Sequence, residues 1–153
     1  MGGGRGAVLL MAAQHLTTGR AVGVDLWRSI DQSGNSVEAT QRNAVAEGVA
    51  DRVELHTGDM MALPFEDSSF DVVVSSLAIH NIWGRAGQEK AVSEAVRVLR
   101  PGGRLMIADV FWATRHYQAH LAQLGMNAVV RGWLGWRSWG TFLVTATKPE
   151  RPL

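Results

Sequence analysis

Residues 1–25 read MGGGRGAVLLMAAQHLTTGRAVGVD, and this stretch decides the fold. A glycine-rich turn at 2–6 runs into segment 7–16, whose alanine, leucine and methionine content favours a helix. The valine-containing segment 21–26 then predicts a short buried strand, with Asp25 near its end. Glycines let a ligand approach the backbone, and an acid at this strand end can accept hydrogen bonds from ribose hydroxyls. The pattern is therefore typical of a site for a nucleotide-like cofactor.

Helices and strands alternate along the rest of the chain. Apolar residues fall on most faces of the helix at 7–16, so we expect it to be well buried. The strongest strand pattern is FDVVVSSLAI, 70–79, because its valines are β-branched and polar turns flank it. Such alternation implies a mostly parallel sheet with helices on both faces. The further predicted helices are 37–47, 88–99 and 113–124, and the further predicted strands are 52–57, 104–110, 128–136 and 141–147.

The two ends of the chain modify this α/β pattern. The alternating segment at 128–147 contains turn residues around 138–140, which predicts a C-terminal antiparallel hairpin. In folds of this kind a β-strand precedes the glycine turn, whereas this chain begins at the turn. We therefore expect the first strand to be missing, and we expect residues 1–153 to form a single domain.

Composition narrows the classes of function. The formal net charge of +1 argues against a strongly electrostatic partner such as a nucleic acid. There are no cysteines, which removes disulfides, thiolate metal sites and cysteine nucleophiles, and which fits a cytoplasmic location. No apolar run approaches the ~18 residues of a membrane span. We predict no metal site and no membrane contact within this chain.

Five motifs occur in a characteristic order. They are GGGRG at 2–6, VGVD at 22–25, GDM at 58–60, FDVVVSSLAIHNI at 70–82 and VLRPGGRLMIADV at 98–110. In this order they resemble the motifs of class I S-adenosylmethionine-dependent methyltransferases, whose fold is Rossmann-like. Within that class the chain is most similar to bacterial enzymes that act on small molecules, including the ubiquinone/menaquinone type.

This resemblance implies a cofactor, S-adenosyl-L-methionine, and methyl transfer to a small-molecule acceptor. It implies that Asp25 binds the ribose hydroxyls and that Asp59 accepts a hydrogen bond from the adenine amino group. The other cofactor contacts that it implies are Gly2, Gly4, Gly6, Leu26, Met60 and Ser76.

His80 is the candidate catalytic residue. It follows the strand at 70–79, where it could face the acceptor as a general base; the alternative is a structural histidine. Methyl transfer depends mainly on alignment and on exclusion of water, so an obvious catalytic dyad is not required.

Two alternative functions stay open on the sequence. The turn also fits the GxGxxG fingerprint of nicotinamide-dependent oxidoreductases, with Ala7 in the third position. The Gly58-Asp59 loop and the C-terminal hairpin favour the methyltransferase. A missing first strand would leave two central sheet edges unpaired, which predicts weak cofactor binding and a possible homo-oligomer. The chain could then be a truncated, non-catalytic or interaction module of the same fold.

Two other sets of side chains are assigned structural roles. His116 and His120 lie four apart on a predicted helix without a third metal ligand nearby, so we expect a solvated pair. Trp133, Trp136 and Trp139 could line an acceptor pocket, but packing within the hairpin is the favoured interpretation.

Overall fold

A computed structural model describes residues 1–28, 33–135 and 140–150. The chain divides into two compact units, Met1–Asp59 and Met60–Leu153. The helices are α1 (Ala7–His15), α2 (Val37–Ala46), α3 (Arg85–Val98) and α4 (Phe111–Gln123). The strands are β1 (Ala21–Asp25), β2 (Val53–Thr57), β3 (Phe70–Ser76), β4 (Leu99–Val110), β5 (Asn127–Trp133) and β6 (Thr141–Thr147). Two 3₁₀ turns occur at Ala50–Arg52 and Ile79–Asn81.

The first unit is built on a parallel pair of strands. β1 pairs with β2 in register from Ala21 opposite Val53 to Asp25 opposite Thr57. A Cβ atom at Gly23 would lie 2.6 Å from Leu9 Cδ2, so the bare backbone of β1 allows α1 to approach closely. The core of this unit consists of Leu10, Ala13, Ala21, Ala44 and Val49.

Helix α1 is buried on one face only. Leu10 and Ala13 are buried, whereas Val8 and Met11 are 41% and 62% exposed. The expectation that this helix is well buried was wrong. Alanine, leucine and methionine raise helix propensity whichever face is covered, so an apolar composition does not show that every face has a packing partner.

The second unit contains a four-stranded sheet in the order β3-β4-β6-β5. β3 and β4 are parallel, and β6 is antiparallel to both of its neighbours. The predicted α/β fold with parallel pairing and a C-terminal antiparallel hairpin is thereby confirmed. β5 ends at Trp133, and the predicted hairpin turn at 138 and 139 lies outside the described residues.

Two boundaries of the second unit differ from the prediction. β3 ends at Ser76 rather than at 79, because Leu77 adopts a positive φ of 49° and a 3₁₀ turn follows. β4 begins at Leu99 rather than at 104. The amide of Gly102 donates to the carbonyl of Lys148, and the amide of Lys148 donates to the carbonyl of Gly103, each at 2.9 Å. Antiparallel pairing therefore continues through glycines that predicted only a helix stop.

The residues before α1 contribute a backbone hydrogen bond to β1. The carbonyl of Asp25 accepts from Gly58 after β2 at 3.0 Å, so the neighbouring Val24 carbonyl faces the opposite edge of β1. The Gly3 amide donates to that carbonyl at 3.2 Å. Both β1 and β3 are terminal strands of their sheets. The missing first strand and the single domain stay predictions.

Arg97 links α3 to the segment before β3. Its guanidinium donates to the carboxylates of Glu94 and Asp67 at 2.8 and 2.7 Å, and to the carbonyls of Phe65 and Leu63 at 2.8 and 3.0 Å. We expect Arg97→Ala to lower the free energy of unfolding by about 2 kcal/mol in urea denaturation, because these acceptors lose a shared donor.

Arg100→Ala is the matched control. The wild-type Arg100 side chain pairs with Asp71, and the two side chains are 52% and 79% exposed. Removing such a pair costs less than about 1 kcal/mol. Equal losses for the two variants would contradict the role assigned to Arg97.

Candidate functional site

The glycine turn has a backbone conformation that favours glycine. Gly2, Gly4 and Gly6 have positive φ angles of 63°, 49° and 93°. The Gly6 amide donates to the carbonyl of Gly3 at 2.9 Å and closes the turn. A Cβ atom at Gly6 would lie 2.9 Å from Thr40 Cγ2, so a side chain there is excluded by space as well as by backbone strain.

The Asp25 carboxylate connects this turn to the end of β1. Oδ2 accepts from the Gly4 amide at 2.9 Å. Oδ1 accepts from the Trp27 amide at 2.7 Å and from Asn35 Nδ2 at 3.3 Å. A carboxylate offers about four acceptor positions, and these three contacts between described residues leave one of them, on Oδ2. The geometry fits one ribose hydroxyl directly, and use of both oxygens requires the long Asn35 contact to give way.

Other predicted cofactor residues of the first unit lie at the ends of β1 and β2. Leu26 is 40% exposed. Trp27 Nε1 donates to Thr57 Oγ1 at 3.1 Å, which holds the indole beside the end of β2. Asp59 directly follows Gly58, whose amide bonds to the Asp25 carbonyl. Met60 and Ser76 belong to the second unit, and a shared role with the turn stays a prediction.

In the second unit, His80 is held by a buried carboxylate. His80 Nδ1 lies 2.5 Å from Asp109 Oδ1, and the His80 amide donates to Oδ2 at 3.1 Å. The Asp109 side chain is fully buried, whereas that of His80 is 23% exposed. The contact occupies Nδ1 and leaves Nε2 as the ring nitrogen for proton exchange with a ligand.

Tyr117 and Gln88 complete this arrangement. The Tyr117 hydroxyl donates to Asp109 Oδ2 at 3.3 Å. Burial and the neighbouring carboxylate raise the pKa of Tyr117 far above its usual range, so the hydroxyl stays a donor. The buried Gln88 Nε2 donates to the carbonyls of His80 and Ile82 at 3.3 and 3.0 Å. The 3₁₀ turn that carries His80 is thus restrained from two sides.

Asp109 was missed in the sequence, where it was assigned only to the strand at 104–110. The available signal was an acidic residue near the carboxyl end of the buried strand RLMIADV. Ligand sites of α/β folds lie at that end of the strands.

One exposed aromatic side chain, that of Trp112, lies next to His80. The rings of His80 and Trp112 meet edge to face at 6.3 Å between centroids. Trp112 and Phe111 are 58% and 49% exposed. Trp133 pairs with Phe142 in the hairpin register and is 48% exposed, and its packing role stays a prediction. Trp136 and Trp139 lie outside the described residues.

His116 and His120 are not a solvated pair. His120 Nε2 lies 2.8 Å from Ser93 Oγ of α3. His116 Nε2 is buried without a hydrogen-bond partner among the described residues, and the His116 ring lies 4.7 Å from that of Tyr117. The expectation was wrong because two histidines one turn apart can face a neighbouring helix as readily as solvent.

Neither a cluster of metal ligands nor a membrane-spanning helix occurs among the residues that the structure describes. No group of three or more histidine, aspartate or glutamate side chains is arranged there to hold a metal ion. No helix in that part of the chain is long and apolar enough to cross a membrane.

Comparison with known proteins defines the family. Residues 1–107 match the family model described as a methyltransferase domain. The chain therefore belongs to the methyltransferase domain family. This membership favours the methyltransferase over the nicotinamide-dependent alternative for the glycine turn.

Within this family, the chain is similar to a methyltransferase of quinone biosynthesis. The chain is 38% identical over 107 residues to the ubiquinone/menaquinone biosynthesis C-methyltransferase UbiE of Roseobacter denitrificans. That match covers 70% of this chain and 39% of the relative, so the matched segment spans about two fifths of the relative's length.

Solved structures confirm the fold. A SAM-dependent methyltransferase from Aquifex aeolicus superposes with a TM-score of 0.75 at 18% identity, over 95% of this chain and 78% of that one. The cyclase SpnF gives a TM-score of 0.79 at 19% identity, over 97% and 73% of the two chains. Since one neighbour is a cyclase, this fold alone does not decide the reaction.

His116 predicts a pH dependence of stability. Burial, followed by the positive charge of Arg85, lowers the pKa of His116 below its ordinary value of 6.5. The unfolded chain therefore binds this proton more readily than the folded one, and stability is lost as the pH falls below that value. We expect the free energy of unfolding to fall less steeply from neutral to mildly acidic pH in His116→Gln than in the wild type. Urea denaturation across that range measures it, and equal slopes would contradict the prediction.

Proposed function

We propose that this chain binds S-adenosyl-L-methionine and takes part in methyl transfer to a small-molecule acceptor. The observation that carries the proposal is the Asp25 carboxylate, which accepts the Gly4 amide at 2.9 Å and keeps an acceptor position for a ribose hydroxyl. It occurs in a member of the methyltransferase domain family. The named activity of the Roseobacter relative supports the same reaction.

The cofactor contacts are divided by chemistry. The backbone of the glycine turn receives the methionine portion, Asp25 the ribose, and Asp59 the adenine amino group. Asp59 lies two residues after the end of β2, close to where an acid at a strand end of an α/β site lies. The remaining proposed contacts are Leu26, Met60 and Ser76.

His80 is proposed as the general base. When bound, S-adenosyl-L-methionine supplies a methyl group on a sulfonium, which is a strong electrophile. His80 Nε2 takes the acceptor's proton, and the buried Asp109 carboxylate at 2.5 Å from Nδ1 stabilises the imidazolium that results. General base catalysis of this kind contributes roughly 10²–10⁴-fold.

The proposed acceptor is a hydroxylated aromatic ring. The relative's name places it in ubiquinone and menaquinone biosynthesis. In this chain, the exposed ring of Trp112 lies against His80 in the second unit and offers apolar surface to a flat molecule. Loss of a quinol hydroxyl proton to His80 would raise electron density at the ring carbon that accepts the methyl group. As the carbon–methyl bond formed, the sulfur–methyl bond would break and S-adenosylhomocysteine would leave. The ring carbon's own proton would then move to the oxygen, which restores the hydroxyl and the aromatic ring.

The proposal also includes a cytoplasmic location and assembly into a homo-oligomer. The cysteine-free composition supports a cytoplasmic location. The terminal positions of β1 and β3 in their sheets support a possible homo-oligomer, because terminal strands present backbone groups for pairing.

Asp25→Ala tests the cofactor site. We expect it to raise the Kd for S-adenosyl-L-methionine at least about 10-fold in calorimetric titration, because both the ribose acceptor and the Gly4 anchor are lost. Asp51→Ala removes an exposed carboxylate from the same unit and should leave the Kd within about 2-fold. Unchanged affinity in Asp25→Ala would contradict the proposed site.

His80→Gln tests the base. Transfer of labelled methyl groups to a naphthoquinol should slow by about 10²-fold, while the Kd for the cofactor stays within about 2-fold. His15→Gln makes the same substitution at an exposed position of α1 and should retain the wild-type rate. A normal rate in His80→Gln would remove His80 from the mechanism. Cofactor binding without any methyl transfer would favour the non-catalytic alternative.

A further inference from the structure

Helix α2 carries two side chains that bond to the glycine turn. Thr40 Oγ1 donates to the Gly4 carbonyl at 2.8 Å. Asn43 Nδ2 donates to the Arg5 carbonyl at 2.9 Å. The two residues are three apart and therefore share one face of the helix. Thr40 is fully buried, so its hydroxyl is shielded from competing water.

These bonds restrain consecutive peptide planes. A peptide group is planar, so holding the Gly4 carbonyl also fixes the direction of the Arg5 amide. Holding the Arg5 carbonyl likewise fixes the direction of the Gly6 amide. The Gly4 amide is fixed separately by Asp25. Since glycine by itself samples many conformations, the shape of the turn depends on these external restraints.

We propose that Thr40 and Asn43 are positioning residues of the cofactor site, which hold the glycine turn in the shape that receives the methionine portion of S-adenosyl-L-methionine. The inference rests on the proposed function. A turn that is already ordered loses less conformational entropy on binding, so the restraints act on affinity without touching the ligand.

The two groups on Thr40 Cβ have separate tasks. The hydroxyl has one proton, and its contact with Gly4 is shorter than its 3.2 Å contact with the Ser36 carbonyl, so Gly4 is the better acceptor. The methyl Cγ2 fills the space beside Gly6. Thr40→Ser therefore keeps the restraint and loses the methyl group. Thr40→Val keeps the shape and loses the restraint.

Titration of S-adenosylhomocysteine into the full 153-residue chain tests the inference. We expect Thr40→Val to raise the Kd about 10-fold, because the half-buried Gly4 carbonyl loses its donor and the turn loosens. Thr40→Ser should stay within about 3-fold of the wild type. Asn43→Ala should raise the Kd about 5-fold, the equivalent of one ordinary hydrogen bond.

Ala44→Gly separates positioning from general stability. Ala44 is fully buried on the same helix and belongs to the core of the first unit, so the substitution lowers the melting temperature of the protein. No bond to the turn is changed, so the Kd should stay within about 2-fold. The inference is overturned if Thr40→Val binds S-adenosylhomocysteine with the wild-type Kd. It is also overturned if Ala44→Gly, at the same loss of melting temperature as Thr40→Val, raises the Kd by the same factor.

Amide hydrogen exchange without ligand gives a second readout. The Gly6 amide, which bonds to Gly3, should exchange about 10-fold faster in Thr40→Val than in the wild type or Thr40→Ser. If the wild-type chain does not bind S-adenosylhomocysteine, the proposed function fails, while the exchange rates still decide the positioning claim. Equal Gly6 exchange in the wild type and Thr40→Val would overturn it.

Discussion

A single carboxylate, that of Asp25, fixes the end of β1 to the glycine turn. Its oxygens accept from the amides of Gly4 and Trp27 and from the Asn35 side chain. Glycine loses more conformational freedom on ordering than other residues, so a turn with three glycines at positive φ needs strong restraints. Hydrogen bonds to a charged acceptor supply about 1.5–3 kcal/mol each, which is enough to hold it. The same carboxylate is the group expected to meet the ribose, so ordering of the site and recognition of the ligand depend on one side chain.

The second unit uses the same physical device. His80 follows β3. The buried Asp109 carboxylate fixes its ring, and Gln88 fixes its backbone carbonyl. An unpaired buried carboxylate would be costly, and Asp109 avoids this by accepting from His80, Val110 and Tyr117. In both units a carboxylate holds the groups around it; Asp25 is also expected to meet the ligand, whereas Asp109 acts through His80.

Sequence patterns predicted the helices and strands well, but they predicted helix burial and tertiary contacts poorly. β1 and β3 were found because valine-rich runs between polar turns have few alternative conformations. The burial of α1 was misjudged, because composition does not say which face of a helix meets the core. Asp109 was overlooked because its importance comes from contact with His80, 29 positions away in the sequence. The Thr40 and Asn43 contacts with the turn, 36 and 38 positions away, are likewise tertiary. No local pattern encodes such contacts, whereas the glycines and Asp25 belong to a local motif and were recognised.

The most direct test follows the amides of the isotope-labelled chain by nuclear magnetic resonance while S-adenosylhomocysteine is added. If Asp25 links the turn to the cofactor, the amides of Gly4 and Trp27, which both donate to its carboxylate, shift together and saturate with one Kd. The amide of Arg52, which bonds to the Val49 carbonyl in the 3₁₀ turn before β2, stays in place. Unmoved Gly4 and Trp27 amides at saturating ligand would contradict a cofactor site built on Asp25.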